Sequence, residues 1–215
     1  LLLFRPAAQE PYARIRIPES YKIGNTYSIL VFGLKAEDFE YAYQMDGPAD
    51  QARGLLFNRK HTLLDPYAKA VTGQRNWGEK PEGGKDFVYK ARVVQSDFDW
   101  GRYRNLNYKF EDLVIYEMHV RGFTKDASSG VKGGGTFEGL RQKIPYLKDL
   151  GINAVELMPI FEFDEMESAR VVDGVQLYNY WGYNTVSFFA PNTSYAFHQE
   201  HNHEGDELKR LIREL

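Results

Sequence analysis

The sequence predicts a β domain followed by the beginning of a parallel α/β domain, and three observations support this prediction. Short apolar or alternating runs, separated by turn residues, fill residues 1–108. A nearly continuous apolar run occupies 113–120, and a second one occupies 153–158. An amphipathic helical pattern lies between these two runs. Strand, helix and strand in this order form a βαβ unit, the building block of parallel α/β folds.

The first domain is expected to be an all-β sandwich, because no stretch of it has a convincing helical period. Turn sequences such as Ile23-Gly24-Asn25 separate its runs. An immunoglobulin-like sandwich normally has about seven strands, and fewer are recognisable here. Either strands are missing at the front or the pattern hides some of them. The recognisable strands lie at Leu1–Phe4, Ala13–Ile17, Thr26–Phe32, Phe39–Gln44 and Phe87–Val94.

The second domain is expected to open on a strand at Leu113–Val120 that is buried on both faces, as in a parallel sheet. A helix should follow, with Thr136 capping its free N–H groups and Gly151 ending it in the left-handed conformation. Pro145 lies inside this helix and should kink it. The apolar stripe of the helix comprises Phe137, Leu140, Ile144, Leu147 and Leu150.

After the second strand, 159–204 is expected to be a long irregular segment and Glu204–Leu215 a helix. Only two parallel strands precede this uncapped helix, which would leave open sheet edges and an exposed apolar face. We therefore expect the 215 residues to be a fragment of a longer protein. Its predicted domains are 1–109, a β-sandwich lacking its first strands, and 110–215, the truncated α/β domain.

The composition excludes several classes of function. Lys and Arg number 27 against 30 Asp and Glu, so nothing indicates a nucleic-acid partner. Cysteine is absent, which rules out a disulfide framework or a thiolate site and fits the cytoplasmic location that we predict. No transmembrane run exists, and Leu1–Phe4 is too short for the apolar part of a signal peptide. The oligomeric state cannot be read from the sequence.

Three blocks in order carry a family resemblance: IYEMHVRGFT (115–124), GGTFEGLRQKIPYLKDLGINAVELMPIFEF (134–163) and NYWGYNTVSFFAPNTSYA (179–196). They resemble the start of the catalytic barrel of isoamylases and bacterial glycogen-debranching enzymes, which belong to the α-amylase superfamily. YAYQMDGP (41–48) and NRKHTLLDPYAKAVTG (58–73) look like the N-terminal carbohydrate-module sandwich of the same family. The resemblance covers nearly the whole chain, and three blocks are more specific than one short motif.

The resemblance implies an immunoglobulin-like β-sandwich followed by the first part of a (β/α)8 TIM barrel. It also implies hydrolysis of α-1,6 branch linkages in glycogen or amylopectin-type glucans, with retention through two carboxylates and without a cofactor. In the family those carboxylates lie on the fourth and fifth barrel strands, with a further Asp near the seventh. None of these positions falls within this chain, so we assign no catalytic residue and expect the chain alone to be inactive.

Two residues of the sugar site are implied by the WGYN motif at 181–184. Tyr183 matches the family's aromatic residue that stacks on the glucose at the cleavage subsite, and Trp181 takes the place of a neighbouring site residue. A flat ring at the mouth of the barrel offers a platform to a pyranose. The alternative is that Tyr180, Trp181 and Tyr183 only pack the loop against the barrel, because large aromatic side chains are mostly buried.

Other polar residues are interpreted as structural. The stretch HQEHNHEGDE (198–207) has metal-ligand residue types, but no Cys and no helical pair of histidines, so we expect a solvated loop and no metal site. Glu117 and His119 alternate along a strand and would share a face, where core packing explains them better than catalysis. Arg121 suits a structural salt bridge. Glu156 and Glu162 are left unassigned.

Two alternative functions stay open. The chain is either a non-catalytic glucan-binding module, with residues 1–108 as the binding part, or a segment of a related superfamily member. The related members considered are branching enzymes, pullulanases and trehalose-forming hydrolases. The sequences at 116–124 and 179–184 favour the isoamylase type over them.

Overall fold

The computed structural model describes residues 1–80, 87–95, 97–104, 106–200 and 202–215. The chain divides into two compact units, which are described separately. The first unit comprises Leu1–Thr72 with Glu82–Gln95, and the second comprises Gly73–Pro81 with Ser96–Leu215. A short segment from the middle of the predicted β domain is therefore part of the second unit, while the predicted boundary at 109/110 stays a prediction.

The first unit is built from antiparallel strands, as expected, and its described residues contain no α-helix. Five strands form one sheet in the order β2-β1-β5-β9-β8, and the remaining four form two separate hairpins, β3–β4 and β6–β7. The strands are β1 (Leu2–Phe4), β2 (Pro11–Arg14), β3 (Lys22–Ile23), β4 (Thr26–Tyr27), β5 (Glu40–Ala42), β6 (Ala49–Asp50), β7 (Leu55–Leu56), β8 (Ala70–Val71) and β9 (Ala91–Arg92).

The central pair of this sheet aligns Leu2 with Ala42 and Phe4 with Glu40, and Leu2, Phe4 and Ala42 form a small buried cluster. The strand predicted at Thr26–Phe32 is wrong beyond Tyr27. Strand pairing stops at Tyr27, and Phe32 is exposed. An apolar run becomes a strand only where another strand supplies hydrogen-bond partners. The sheets are small, and they do not by themselves establish a sandwich.

A buried ion pair lies beside this cluster. Lys90 is only 1% exposed, and its Nζ lies 3.4 Å from Glu40 Oε2 and donates to the Ala8 carbonyl at 2.8 Å. The ammonium also lies 5.2 Å from the centre of the Phe4 ring. The cation is thus compensated by a carboxylate, a carbonyl and an aromatic face, as a buried charge requires.

The second unit contains a parallel strand pair with helices, as the βαβ pattern predicted. Strands β10 (Ile115–Met118) and β11 (Ala154–Leu157) pair in parallel, with Glu117 opposite Glu156. The helices are α1 (Val120–Thr124), α2 (Phe137–Arg141), α3 (Ile144–Asp149) and α4 (His203–Glu214). The core that these elements share is formed by Met118, Val120, Phe137, Leu140, Leu147, Phe163, Tyr195, Leu208 and Leu211.

The predicted helix start and stop are confirmed, but the predicted kink is wrong. Thr136 Oγ1 accepts from Gly139 N at 3.2 Å, and Gly151 has a φ of 86°. Between them the chain forms two helices, α2 and α3, instead of one bent helix. Pro145 lies in the first turn of α3, because without an N–H it cannot continue the hydrogen bonding of α2, whereas a helix start needs no such donor.

The strand predicted at Leu113–Val120 is shorter and is buried on one face only. Tyr116 and Met118 face the core, whereas Ile115 and Glu117 are exposed. Val120 no longer belongs to the strand, since it begins α1. The strand ends at Met118 because His119 caps α1, and the buried face of β10 is the one that packs on the core of this unit.

The prediction of an irregular segment at 159–204 is wrong. The segment contains β12 (Phe161–Phe163), β13 (Arg170–Val172), β14 (Val175–Leu177) and β15 (Thr185–Pro191). β12 pairs with β15 and β13 pairs with β14, both antiparallel. Three of these strands are only three residues long, too short to give a clear alternating pattern. In the part of the chain that the structure describes, no helix is long and apolar enough to cross a lipid bilayer.

Candidate functional site

His119 lies directly after the carboxyl end of β10 and anchors the loop that carries the WGYN motif. It is the N-cap residue of α1, where its Nδ1 accepts from Gly122 N at 3.1 Å. Its Nε2 lies 2.7 Å from the Tyr180 carbonyl. A carbonyl only accepts, so Nε2 carries the hydrogen and the ring is neutral. Burial lowers the pKa of His119, in agreement with this neutral tautomer.

Trp77 completes the anchor from a distant part of the sequence. The Tyr180 ring is stacked on His119, with 4.1 Å between ring centres. Trp77 packs edge-on against both rings and lies parallel to Tyr195 at 5.8 Å. The guanidinium of Arg121 lies over Trp77, 4.9 Å from its ring centre, so the predicted salt-bridge residue makes a cation–π contact. These rings form a packed base for the loop.

Trp181 and Tyr183, the predicted sugar-site residues, project from this base. They are 63% and 66% exposed, with 6.4 Å between ring centres and an angle of 82° between the planes. Gly182 between them has a φ of 81°, and a Cβ there would lie 2.5 Å from the Phe163 ring. Of the three aromatic residues for which loop packing was the alternative, Tyr180 packs on His119 while 41% exposed, and the other two are more exposed.

Two buried carboxylates, which the sequence did not assign to a site, lie on and after β12. Glu162 Oε2 accepts from Thr193 N at 2.7 Å, and Glu165 Oε1 accepts from Ser194 Oγ at 2.6 Å. Burial raises the pKa of Glu162 to about 8 and that of Glu165 to about 7. Neither side chain is accessible to solvent, so they tie β12 to the segment after β15 and do not face a substrate. Gln74 supports them, since its Oε1 accepts from Glu165 N at 3.1 Å.

The acid–base pair considered from the sequence does not form. Glu117 is exposed on β10, and its strand neighbour on that face is Glu156. His119 has left the strand and caps α1 with its ring among the aromatic residues. The spacing argument fails because the strand ends at Met118, so the two side chains no longer follow one alternation.

Metal-ligand residue types meet at one place in the described chain. His198, His203 and Glu207 each offer a ligand atom, and these atoms lie within 4.8 Å of one another. His203 and Glu207 are four residues apart on α4, and His198 belongs to the preceding loop. From the sequence we expected a solvated loop and no metal site, since the stretch has no Cys and no helical pair of histidines. A His and a Glu four residues apart on a helix also share a face.

Comparison with solved structures defines the class of fold. The whole chain matches 32% of a mutant pullulanase from Paenibacillus barengoltzii complexed with maltotriose, with a TM-score of 0.71 and 24% identity. It also matches 23% of the type I pullulanase from Bacillus subtilis complexed with maltose, over 83% of this chain, with a TM-score of 0.57 and 26% identity. The chain therefore has the fold of a segment of an α-amylase-type enzyme.

Within this class, the sequence is similar to isoamylases and glycogen-debranching enzymes, which confirms the resemblance predicted from the three blocks. Isoamylase 3 of rice is 42% identical over 90% of this chain, isoamylase 1 of Arabidopsis thaliana is 37% identical over 92%, and the glycogen debranching enzyme of Yersinia enterocolitica is 33% identical over the whole chain. The chain spans 25%, 26% and 33% of the length of these relatives. No family model matches the chain.

The anchor residues were missed by sequence reasoning. His119 was seen only as a strand residue, and Trp77 lies within a stretch that was attributed to the first domain. No local pattern marks either residue, because their role depends on contacts across 42 to 118 positions of sequence. For Tyr183 and Trp181 a signal existed, the WGYN motif itself.

Proposed function

We propose that this chain is part of a glycoside hydrolase that cleaves α-1,6 branch linkages in glycogen- or starch-type glucans with retention. Its similarity to isoamylases and glycogen-debranching enzymes supports the reaction, and the complexes of its structural neighbours with maltotriose and maltose support an α-glucan as the substrate. The chain supplies none of the catalytic carboxylates and is inactive alone. It contributes a sugar platform, Tyr183, with Trp181 beside it.

The position of the aromatic loop is the observation that carries the proposal. In a barrel of parallel strands, substrates bind at the carboxyl ends of the strands. His119 follows Met118, the last residue of β10, and holds the loop there through Tyr180. An exposed ring on a fixed backbone loses little conformational entropy when a pyranose stacks on it. Tyr183 fits this description, since its neighbours in the loop are anchored while its own ring is open.

The same proposal covers the architecture of both units. The first unit is the carbohydrate-module type of immunoglobulin-like sandwich, and the second unit is the first part of a (β/α)8 barrel. The parallel pairing of β10 and β11, with helices between them, supports the barrel. The cytoplasmic location remains a prediction, and the rice and Arabidopsis relatives carry the word chloroplastic in their names.

Maltotriose titration of the full chain tests the platform. Binding should quench or shift the fluorescence of Trp181, and Tyr183→Ala should weaken it by roughly 5- to 30-fold, the loss of about 1–2 kcal/mol of stacking free energy. Tyr146→Ala is the matched control, because Tyr146 is an exposed tyrosine of the same unit that lies on α3. Equal affinity of Tyr183→Ala and the unaltered chain would refute the platform.

Affinity electrophoresis in glycogen separates this proposal from the glucan-binding-module alternative. Retardation that survives Tyr183→Ala unchanged would contradict the platform and favour the alternative of binding by residues 1–108. Retardation that Tyr183→Ala abolishes supports the platform. Release of reducing ends from glycogen by this chain would contradict the assignment of no catalytic residue to it.

A further inference from the structure

We propose that His198, His203 and Glu207 bind one divalent transition-metal ion of the Zn²⁺ type. Two histidines and one carboxylate are a common protein ligand set for zinc, which leaves a fourth position for water. The site is separate from the sugar platform in the chain, since its residues lie on α4 and in the loop before it, whereas Trp181 and Tyr183 precede β15.

Glu207 is the fixed ligand of the set. Its side chain is 3% exposed, whereas that of His198 is 50% exposed. Glu207 accepts from Phe197 N and His198 N, both at 2.9 Å, and its Oε1 lies 3.0 Å from His198 Nδ1. A carboxylate has about four lone-pair sites, so these two backbone bonds leave capacity for a cation. The carboxylate is therefore already positioned and desolvated before an ion arrives.

The distances suit a small tetrahedral ion. Bonds of about 2.0–2.2 Å to zinc place neighbouring ligand atoms roughly 3.3–3.5 Å apart. The separation of 3.0 Å between His198 Nδ1 and Glu207 Oε1 needs only a slight opening. All three ligand atoms lie within 4.8 Å of one another, so His203 needs to move by at most about 1–1.5 Å to meet the spacing that zinc requires. Its side chain is 43% exposed and has room for this movement.

Glu200 supplies the outer contact that zinc-binding histidines usually have. Its Oε2 lies 3.2 Å from His203 Nδ1. A carboxylate at one ring nitrogen fixes the tautomer and leaves the other nitrogen free for a metal. Because His203 and Glu207 belong to α4 while His198 and Glu200 precede it, the ion would fasten the loop to the first turn of the helix.

The test is isothermal titration of the untagged, chelator-treated full chain with ZnCl₂, with Co²⁺ as a spectroscopic probe of coordination. We expect one ion per chain and visible absorption typical of tetrahedral Co²⁺. His198→Asn and His203→Asn should each weaken Zn²⁺ binding at least tenfold. Glu200→Gln should weaken it about tenfold, because Glu200 holds a ligand and does not bind the ion itself. His61→Asn is the matched control, since His61 is an exposed histidine of the first unit.

The two Asn variants alter partly exposed side chains and preserve the backbone contacts of Glu207, so loss of folding does not confuse the result. The Zn²⁺ affinity of Glu207→Gln is interpreted only if the circular dichroism spectrum of this variant matches that of the unaltered chain. Absence of stoichiometric Zn²⁺ binding overturns the proposal. Unchanged affinity in both His198→Asn and His203→Asn, or an equal loss in His61→Asn, also overturns it. A failure here would leave maltotriose binding unaffected, so the two proposals fail separately.

Discussion

Replacing Gly182 by alanine should damage the second unit through a contact that the structure locates. The new Cβ would lie 2.5 Å and 2.6 Å from two carbons of the Phe163 ring. Phe163 is fully buried and packs against Trp77 and Tyr195, so it cannot move aside without disturbing the anchor. A φ of 81° adds a cost of about 1–2 kcal/mol for any residue with a Cβ, and overpacking adds about 1–3 kcal/mol.

Gly174→Ala isolates the cost of the positive φ from the cost of the clash. Gly174 has a φ of 79° in the turn between β13 and β14, but a Cβ there would meet nothing within 4 Å. We expect Gly174→Ala to lower the free energy of unfolding by about 1–2 kcal/mol and Gly182→Ala to lower it by about 2–5 kcal/mol. The difference between the two measures the clash with Phe163.

Urea unfolding followed by tryptophan fluorescence is the assay, because all three tryptophans lie in the second unit. Phe163→Leu combined with Gly182→Ala should recover part of the loss, and the coupling can be read from the double-mutant cycle. Gly182→Ala should also weaken maltotriose binding, whereas Gly174→Ala should not. Equal stabilities for the two alanine variants would show that Phe163 does not constrain the loop and would refute the reasoning.

Two further predictions concern buried charges. Burial raises the pKa of Glu162 to about 8 and that of Glu165 to about 7, above the ordinary 4.5. Their protonated forms therefore stabilise the fold fully below pH 4.5, and this stabilisation is lost as the pH rises through 7 to 8. Glu162→Gln should flatten that decline in urea unfolding between about pH 5 and about pH 9, and an unchanged slope would contradict it. In the first unit, Lys90→Met should cost about 3–5 kcal/mol by leaving Glu40 buried without its cation, while adding Glu40→Gln should restore part of it. Circular dichroism during urea unfolding checks this, and a double variant no more stable than Lys90→Met would refute it.

The elements that the sequence predicts well are those with local causes. Thr136 caps α2 because a hydroxyl at that position accepts a nearby N–H, and Gly151 ends α3 because glycine adopts a positive φ without strain. Each depends on neighbours a few residues away. The βαβ order was predictable for the same reason, since hydrophobic periodicity is a local signal.

The elements that the sequence missed depend on pairing partners. The run Thr26–Phe32 has strand composition throughout but pairs only at Thr26 and Tyr27, and composition contains no information about where a partner strand stops. The short strand β12 was overlooked for the opposite reason, because three residues become a strand only through the partner β15. The limits of a strand are thus set by tertiary structure.

The candidate site shows the same division. Tyr183 and Trp181 are predicted as sugar-site residues because they match a family motif, and this stays a prediction, whereas their exposure could not be predicted. That exposure results from Gly182 meeting Phe163 and from Tyr180 stacking on His119, contacts with residues 19 to 61 positions away. A motif identifies which residues are present at a site, and long-range packing decides which of them face solvent.

The segment 73–81 shows why this distinction affects the domain boundary. Trp77 stacks on Tyr195, and Gln74 bonds to the backbone of Glu165, so both serve the second unit although they precede residue 110. A chain divided at 109/110 would lose the ring on which Tyr195 packs and leave the N–H of Glu165 without its acceptor. A buried N–H without a partner costs about 1–3 kcal/mol, and the aromatic anchor would be lost in addition. The unit that holds Trp181 and Tyr183 therefore needs a piece of chain that precedes the predicted domain boundary.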